Sequence, residues 1–225
     1  MQGIDAHISL VLRSFRRPHY LRRTVASLLA SDYLLASTRV LLDDCSDHPV
    51  MHDIFAQLDA AGFDVYINPV NEGAQSFVTA ISLSSDQSDF ICYLDDDVAI
   101  KPDLLRTLHQ SYLTIEKDQA VPRDKLLLTG FHCDPDHSVE GRHATLVDYG
   151  TYVEKFSCGG VSYFFHRELI DTVVSAWRRD LDWGVVDAMH QKSGKIFAIK
   201  PSLIEHIGEV GLHSMPENYD RAVDF

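Results

Sequence analysis

Apolar positions fall in two rhythms along the chain. Residues 7–12 (HISLVL), 39–42 (RVLL), 64–67 (DVYI) and 90–94 (FICYL) are short apolar runs of strand length. Between them the spacing is helical. Leu21, Val25, Leu28 and Leu29 recur at i, i+4, i+7 and i+8 behind Pro18, which suits the first turn of a helix. Val50, Ile54 and Leu58 form a second face that ends at Gly62. A third helix runs to about Leu83, and Pro102 opens a fourth with Leu105, Leu108 and Tyr112. Strands alternating with helices at this spacing predict an α/β protein with a mainly parallel central sheet and helices on both faces. Ligands of such sheets bind beyond the carboxyl ends of the strands. The polar loops 13–17, 43–47, 68–73 and 95–97 are therefore expected to converge on one crevice.

The second half is less regular. Residues 126–131, 146–153, 162–165 and 196–199 read as strands, and 167–177 and 182–192 as helices. This half is expected to extend the same sheet and to supply the other wall of the crevice. The tail from Pro216 is polar and acidic and is expected to pack weakly.

Charge narrows the partners. With 33 acidic against 20 basic side chains the net charge is -13, which disfavours nucleic acid and anionic membrane surfaces. No secretory signal and no long apolar run is evident, so no membrane span and a cytoplasmic location are expected. Cys45, Cys92, Cys133 and Cys158 form no CxxC pair and read as free thiols.

The densest candidate chemistry is Asp95-Asp96-Asp97, directly after the most apolar strand. Three adjacent carboxylates without a counter-charge raise one another's pKa values. A hard cation such as Mg²⁺ or Mn²⁺ relieves that crowding and takes carboxylate oxygens together with substrate phosphates. The alternative is a solvated acidic turn that caps the next helix. Asp43 and Asp44 follow the second strand, where a carboxylate can accept a ring N–H of a pyrimidine base or form an Asx-turn. Around the first strand's end, Arg13, Arg16 and Arg17 can pair with phosphates and Phe15 can pack on a base. Arginines at a helix N-terminus oppose the helix dipole, so something else must retain Arg16 or Arg17. No P-loop, GxGxxG or GxSxG motif is present. His132, His137 and His143 with Asp134 and Asp136 have irregular spacing and read as a solvated loop, with a second metal site as the alternative.

Taken in order, ISLVLRSFRRPHYLRRTVASLL, VLLDDCSD, NPVNEGAQS and FICYLDDDVAIKPDLL resemble the GT-A fold glycosyltransferases of the family-2 type over roughly the first half of the chain. The resemblance implies one Rossmann-like GT-A domain over residues 1–225. Residues 1–115 would form its nucleotide-binding half, 116–215 its acceptor and catalytic half, and 216–225 a tail. It places nucleotide contacts at Ser14, Phe15, Asp43 and Asp44 and a DxD motif on Asp95 and Asp97. Asp95 would face the ribose and join Asp97 among the metal ligands, with Asp96 between them the least defined of the nucleotide contacts. SCGGVSYFFHREL resembles the glycine-rich segment that approaches the donor sugar, through Gly159 and Gly160. In DWGVVDAMHQKSGKIFAIKPSLIEHIG, Asp187 falls at the catalytic base and His206 at the histidine completing the metal or diphosphate site. His213 is a fallback for His206, and Asp182, a little over one helical turn away, is the alternative acid to Asp187. A familiar Arg-Asn pair is replaced by Val78 and Thr79, which leaves Arg13 or Arg16 to supply that diphosphate contact.

The implied activity is a metal-dependent, inverting transfer of a sugar from a nucleotide-diphosphate sugar, UDP-sugar first, to an acceptor hydroxyl. Mn²⁺ or Mg²⁺ would be the cofactor. Glycan, lipid-linked, protein and small-molecule acceptors all stay open. A nucleotidyltransferase that makes the nucleotide sugar, and a degenerate module that only binds it, are the alternatives.

Overall fold

Strand β1 (Ile8–Ser14) is apolar on both sides because it lies inside the sheet, with helices packed on each face. The computed structural model describes residues 4–84, 86–133, 143–210 and 220–225. After β1 come α1 (Pro18–Leu29), β2 (Thr38–Asp43), α2 (Pro49–Ala60), β3 (Asp64–Ile67), α3 (Gln75–Ser82) and β4 (Phe90–Leu94). These are followed by β5 (Val98–Ile100), α4 (Leu104–Asp118), β6 (Leu126–Thr129), β7 (Thr145–Asp148) and β8 (Tyr152–Lys155). The described chain closes with β9 (Ser162–His166), α5 (Ile170–Gln191), β10 (Lys195–Ile199) and β11 (Ile204–His206).

Among the described residues, nine strands form one sheet in the order β3-β2-β1-β4-β9-β6-β10-β8-β7. β3, β2, β1 and β4 run parallel, as the alternation of the first half requires. β9 enters antiparallel between β4 and β6, β10 pairs parallel with β6, and the β8–β7 edge is antiparallel. The second half thus extends the sheet with mixed direction. Alternating side chains feed two cores. Ile8, Leu10 and Leu12 pack with residues of α1, α2 and α4, while Val11 packs with Phe77 of α3 and Val185 of α5.

Three features depart from the sequence pattern. The apolar stretch 146–153 is not one strand but the β7–β8 hairpin, turned at Gly150, whose φ of 91° favours glycine. α5 spans both expected helices and breaks between them, at Asp180 and Leu181. Its two arms approach so closely that a Cβ on Gly184 would lie 3.0 Å from the Ala176 carbonyl carbon. Finally, β5 and β11 form a small separate antiparallel sheet that the sequence did not signal, each being only three residues long. No helix among the described residues is long and apolar enough to cross a membrane.

Candidate active site

The four loops after the parallel strands meet. Ser14 Oγ donates to Asp43 at 2.7 Å, and Asp43 also accepts from Ser46 N at 2.6 Å. Asp44 accepts from Asn68 Nδ2 at 3.0 Å and from the backbone N–H groups of Glu72 and Gly73, both at 2.8 Å. Arg16 has a φ of 61° and is exposed. Its N–H donates to Ser46 Oγ at 2.7 Å, and its guanidinium lies 4.9 Å from the Phe15 ring centre. Asp43 and Asp44 are therefore buried and hold the first three loops together, while Phe15 and Arg16 form the rim above them.

The acidic triplet divides three ways. Asp95 pairs with Arg13 at 2.9 Å and accepts from the Tyr93 hydroxyl. Arg13 itself sits between the rings of Trp177 and Tyr93, 5.6 and 5.9 Å from their centres. Asp96 is turned inward. It accepts from Phe15 N at 3.0 Å and pairs with Arg17 at 2.5 Å, so it fixes the β1–α1 loop. Asp97 pairs with Arg17 as well, and its Oδ2 lies 3.4 Å from His206 Nε2. Burial and the neighbouring Asp97 raise the Asp96 carboxyl against the pull of Arg17. Burial opposes ionisation of Asp97 too, but His206 and Arg17 hold it below the usual carboxylate range.

The small sheet explains why His206 reaches Asp97. β11 pairs with β5 so that His206 lies opposite Val98, and Ile207 N donates to Asp97 O at 2.8 Å. Thr24 of α1 locks the other side, donating to Asp96 O at 2.8 Å and accepting from Val98 N at 3.0 Å. Gly208 leaves room beside the pair, since a Cβ there would come 2.7 Å from His206 Nε2. The His206 Nδ1 atom lies 3.1 Å from Asp220 O. A carbonyl and a carboxylate both only accept, so each ring nitrogen of His206 faces an acceptor, and against the lowering effect of burial the Asp97 carboxylate raises the ring's pKa.

The second wall begins at the glycine pair. Asp95 N donates to Val161 O at 3.0 Å, which ties this segment to the triplet. Gly159 packs on Phe131, and a Cβ on Gly160 would meet Asp182 Cβ at 3.2 Å. Asp182, at the start of the second arm of α5, faces this glycine, and burial raises its carboxyl above the usual range. Asp187 does not share that position. Five residues further along a helix it is rotated by about 140°, and it is exposed, whereas Val185, Val186 and Met189 turn into the core. Asp182 is the acid that packs against the glycine pair, and Asp187 lies on a different side of the helix.

The sequence offered Arg17 only as a possible phosphate partner, Asp182 only as the alternative acid and His143 only within a solvated loop. The signal for Arg17 was the misplaced positive charge at the α1 N-terminus, where it is the N-cap residue. His143 is buried against Trp183, with Nδ1 2.8 Å from Ser157 Oγ and Nε2 3.3 Å from Asp220. His132 lies near Asp224, 3.5 Å away. Asp134, Asp136, His137 and His213 lie outside the described residues. Where the Arg-Asn pair was missed, Val78 is buried and Thr79 donates to Glu72 at 2.7 Å. Among the described residues, no three His, Cys, Asp or Glu side chains gather in a way that could hold a metal. Asp95, turned to Arg13, does not join Asp97 and His206 as a third ligand.

A sheet whose parallel strand ends gather an acidic triplet, paired arginines and a histidine from an added small sheet defines a Rossmann-like GT-A architecture. The chain belongs to glycosyl transferase family 2, whose pattern matches residues 9–123. Its structure is similar to that of GalNAc-T7 with UDP, GalNAc and Mn²⁺, with a TM-score of 0.65 and 16% identity over 95% of this chain. The chain spans 45% of the length of that protein, and the likeness is one of fold. No curated protein sequence matches the chain.

Proposed function

We propose that this domain transfers a sugar from a nucleotide-diphosphate sugar, with UDP as the first candidate nucleotide, to an acceptor hydroxyl with inversion at the anomeric carbon. The family and the UDP-bound and Mn²⁺-bound state of the GalNAc-T7 structure support the donor class. In this reading residues 1–115 hold the nucleotide and the remainder presents the acceptor. The rim of half-buried Phe15 and exposed Arg16 covers the base. Arg13 holds Asp95 toward the ribose, and Asp96 acts by fixing the loop rather than by touching the donor.

Asp97 and His206 fit a hard divalent cation that completes its shell with diphosphate oxygens and water. The space that a Cβ on Gly208 would fill, beside both Asp97 and His206, is the feature that favours it. Mn²⁺ or Mg²⁺ bound there would neutralise charge on the leaving diphosphate. Arg17, already paired with Asp97, is placed to share that charge. Asp182 takes the proton from the acceptor hydroxyl as that oxygen bonds to the anomeric carbon and the bond to the diphosphate oxygen breaks. A carboxyl raised by burial is the better base for this step.

The observation that carries the proposal is the link through residues 160–161. Gly160 touches Asp182, and Val161 is bonded to Asp95, so base and acidic triplet flank one short segment. The test is a melting series with nucleotide sugars, with and without Mn²⁺. Ligands that bind only the native state raise the midpoint. A UDP-sugar that raises it only when Mn²⁺ is present supports the proposal. No response to any nucleotide sugar sinks it, and pyrophosphate release from a nucleoside triphosphate and a sugar phosphate would replace it with nucleotidyl transfer.

A further inference from the structure

Trp177, on the first arm of α5, is buried among residues that belong to the other half of the chain. Its indole stacks on Phe77 of α3, with 3.9 Å between ring centres and 17° between planes. The Arg13 guanidinium lies 5.6 Å from the indole centre and 5.9 Å from that of Tyr93. The indole Nε1–H donates to Ala74 O at 2.9 Å. Its far edge reaches the glycine pair, since a Cβ on Gly160 would stand 3.6 Å from Trp177 Cη2.

These contacts converge on Asp95. Arg13 pairs with Asp95 Oδ1 at 2.9 Å, and the Tyr93 hydroxyl donates to the same oxygen. An arginine has many rotamers, and one partly exposed carboxylate does not select among them. Two aromatic rings do, because a planar guanidinium stacks on them and keeps its fork aimed in one direction. The bond to Ala74 adds a second tie. Ala74 directly follows the loop whose Glu72 and Gly73 N–H groups bind Asp44. One indole therefore holds both the Arg13–Asp95 pair and this loop against α5. Phenylalanine in its place would offer Arg13 a ring but no N–H, and leucine would offer neither.

We infer that Trp177 is a positioning residue for the nucleotide, acting through Arg13 to hold Asp95 in the orientation that meets the ribose. This role rests on the nucleotide placement proposed above, but proton–nitrogen-15 spectra test its first step with no ligand present. Ring currents shift atoms stacked on an aromatic face upfield. The Arg13 Nε–H signal, identified by its loss in Arg13→Ala, should be shifted upfield and slow to exchange in the wild-type protein. The shift should persist in Trp177→Phe and move toward the free-arginine position in Trp177→Leu.

UDP with Mn²⁺, followed by titration calorimetry, reads the second step. Trp177→Leu should weaken UDP binding about tenfold, and Trp177→Phe should recover most of that loss. Because Trp177 acts through Arg13, the double variant Arg13→Ala/Trp177→Leu should bind UDP within about twofold of Arg13→Ala alone. Losses that multiply in the double variant would overturn the inference, and so would wild-type UDP affinity in a folded Trp177→Leu protein. If Trp177→Leu does not fold, Arg13→Lys decides, because lysine keeps the charge and gives up the stacked plane. It should lose UDP affinity about tenfold, and wild-type affinity there would overturn the role of stacking. UDP binding without release from any UDP-sugar would refute the transferase proposal and leave the role of Trp177 standing. A protein that binds no UDP contradicts the proposed nucleotide. The Arg13 signal then still decides whether Trp177 holds Arg13, and a free-arginine position in the wild-type protein refutes it.

Discussion

Arg17 is the residue on which the acidic triplet depends. Its guanidinium bridges Asp96 and Asp97, both nearly fully buried, and truncating it leaves two carboxylates without their cation. Breaking a buried pair costs roughly 3–5 kcal/mol; with a third of Arg17 exposed, Arg17→Ala should lose about 2 kcal/mol in chemical denaturation. Mn²⁺ should restore part of that loss, so the metal-induced rise in melting temperature should be larger in the variant than in the wild type. Asp182 makes the opposite prediction for stability. Its folded pKa is raised, so the folded state binds its proton more tightly than the unfolded chain does. Stability therefore falls as pH rises from the unfolded pKa of about 3.9 toward the folded value. Asp182→Asn should be as stable as the wild type at low pH and at least as stable at neutral pH. It should lose about 10²–10⁴ in transfer while keeping nucleotide binding. The same substitution at Asp187, on the exposed side, should leave transfer within about twofold, and an inactive Asp187→Asn would return the base to that position. In the sequence, the triplet and the first-strand arginines were legible because charge stood where burial or a helix dipole opposed it. The choice between Asp182 and Asp187 was not, because it depends on a helix phase that is reset at the Asp180–Leu181 break.

At the scale of elements, the strands and helices of the parallel half follow directly from apolar runs bounded by Pro18, Gly62 and Pro102. The pieces that complete the site are those too short to have a period. β5 and β11 have three residues each, yet their pairing carries His206 to Asp97. Gly208→Ala tests that element, because a Cβ there collides with both side chains. It should abolish metal-dependent stabilisation by the donor while the far-ultraviolet circular dichroism stays native. The His143–Asp220 pair adds a pH dependence of its own. Burial alone would lower the His143 pKa, but hydrogen bonds with Asp220 and Cys133 push it up to about 10. A raised histidine contributes its stability in full below the unfolded pKa of about 6.5 and loses it as pH rises through the folded value. Unfolding followed from pH 6 to 10 should show a decline that is absent in His143→Gln. Residues 220–225, expected to pack weakly, are held by side-chain and main-chain bonds to distant loops, and such contacts leave no apolar pattern in the sequence.

Across the whole molecule, the alternation of strand and helix was enough to place the crevice at the carboxyl ends of the parallel strands. It could not give the direction of β9, which turns the sheet from parallel to mixed and sets the glycine pair between the triplet and α5. On the proposed function, one half would hold the nucleotide and the other would present the base, with residues 160–161 between them. On the proposed function, a cation would offset the excess of acidic side chains when an anionic diphosphate binds. The most direct measurement is release of UDP from a panel of UDP-sugars by the purified protein, with Mn²⁺ and then with excess chelator. The account predicts release from at least one sugar with Mn²⁺, loss of that release on chelation, and its absence in Asp182→Asn. Release that is indifferent to the chelator and to Asp182, or no release from any sugar by the folded protein, would contradict it.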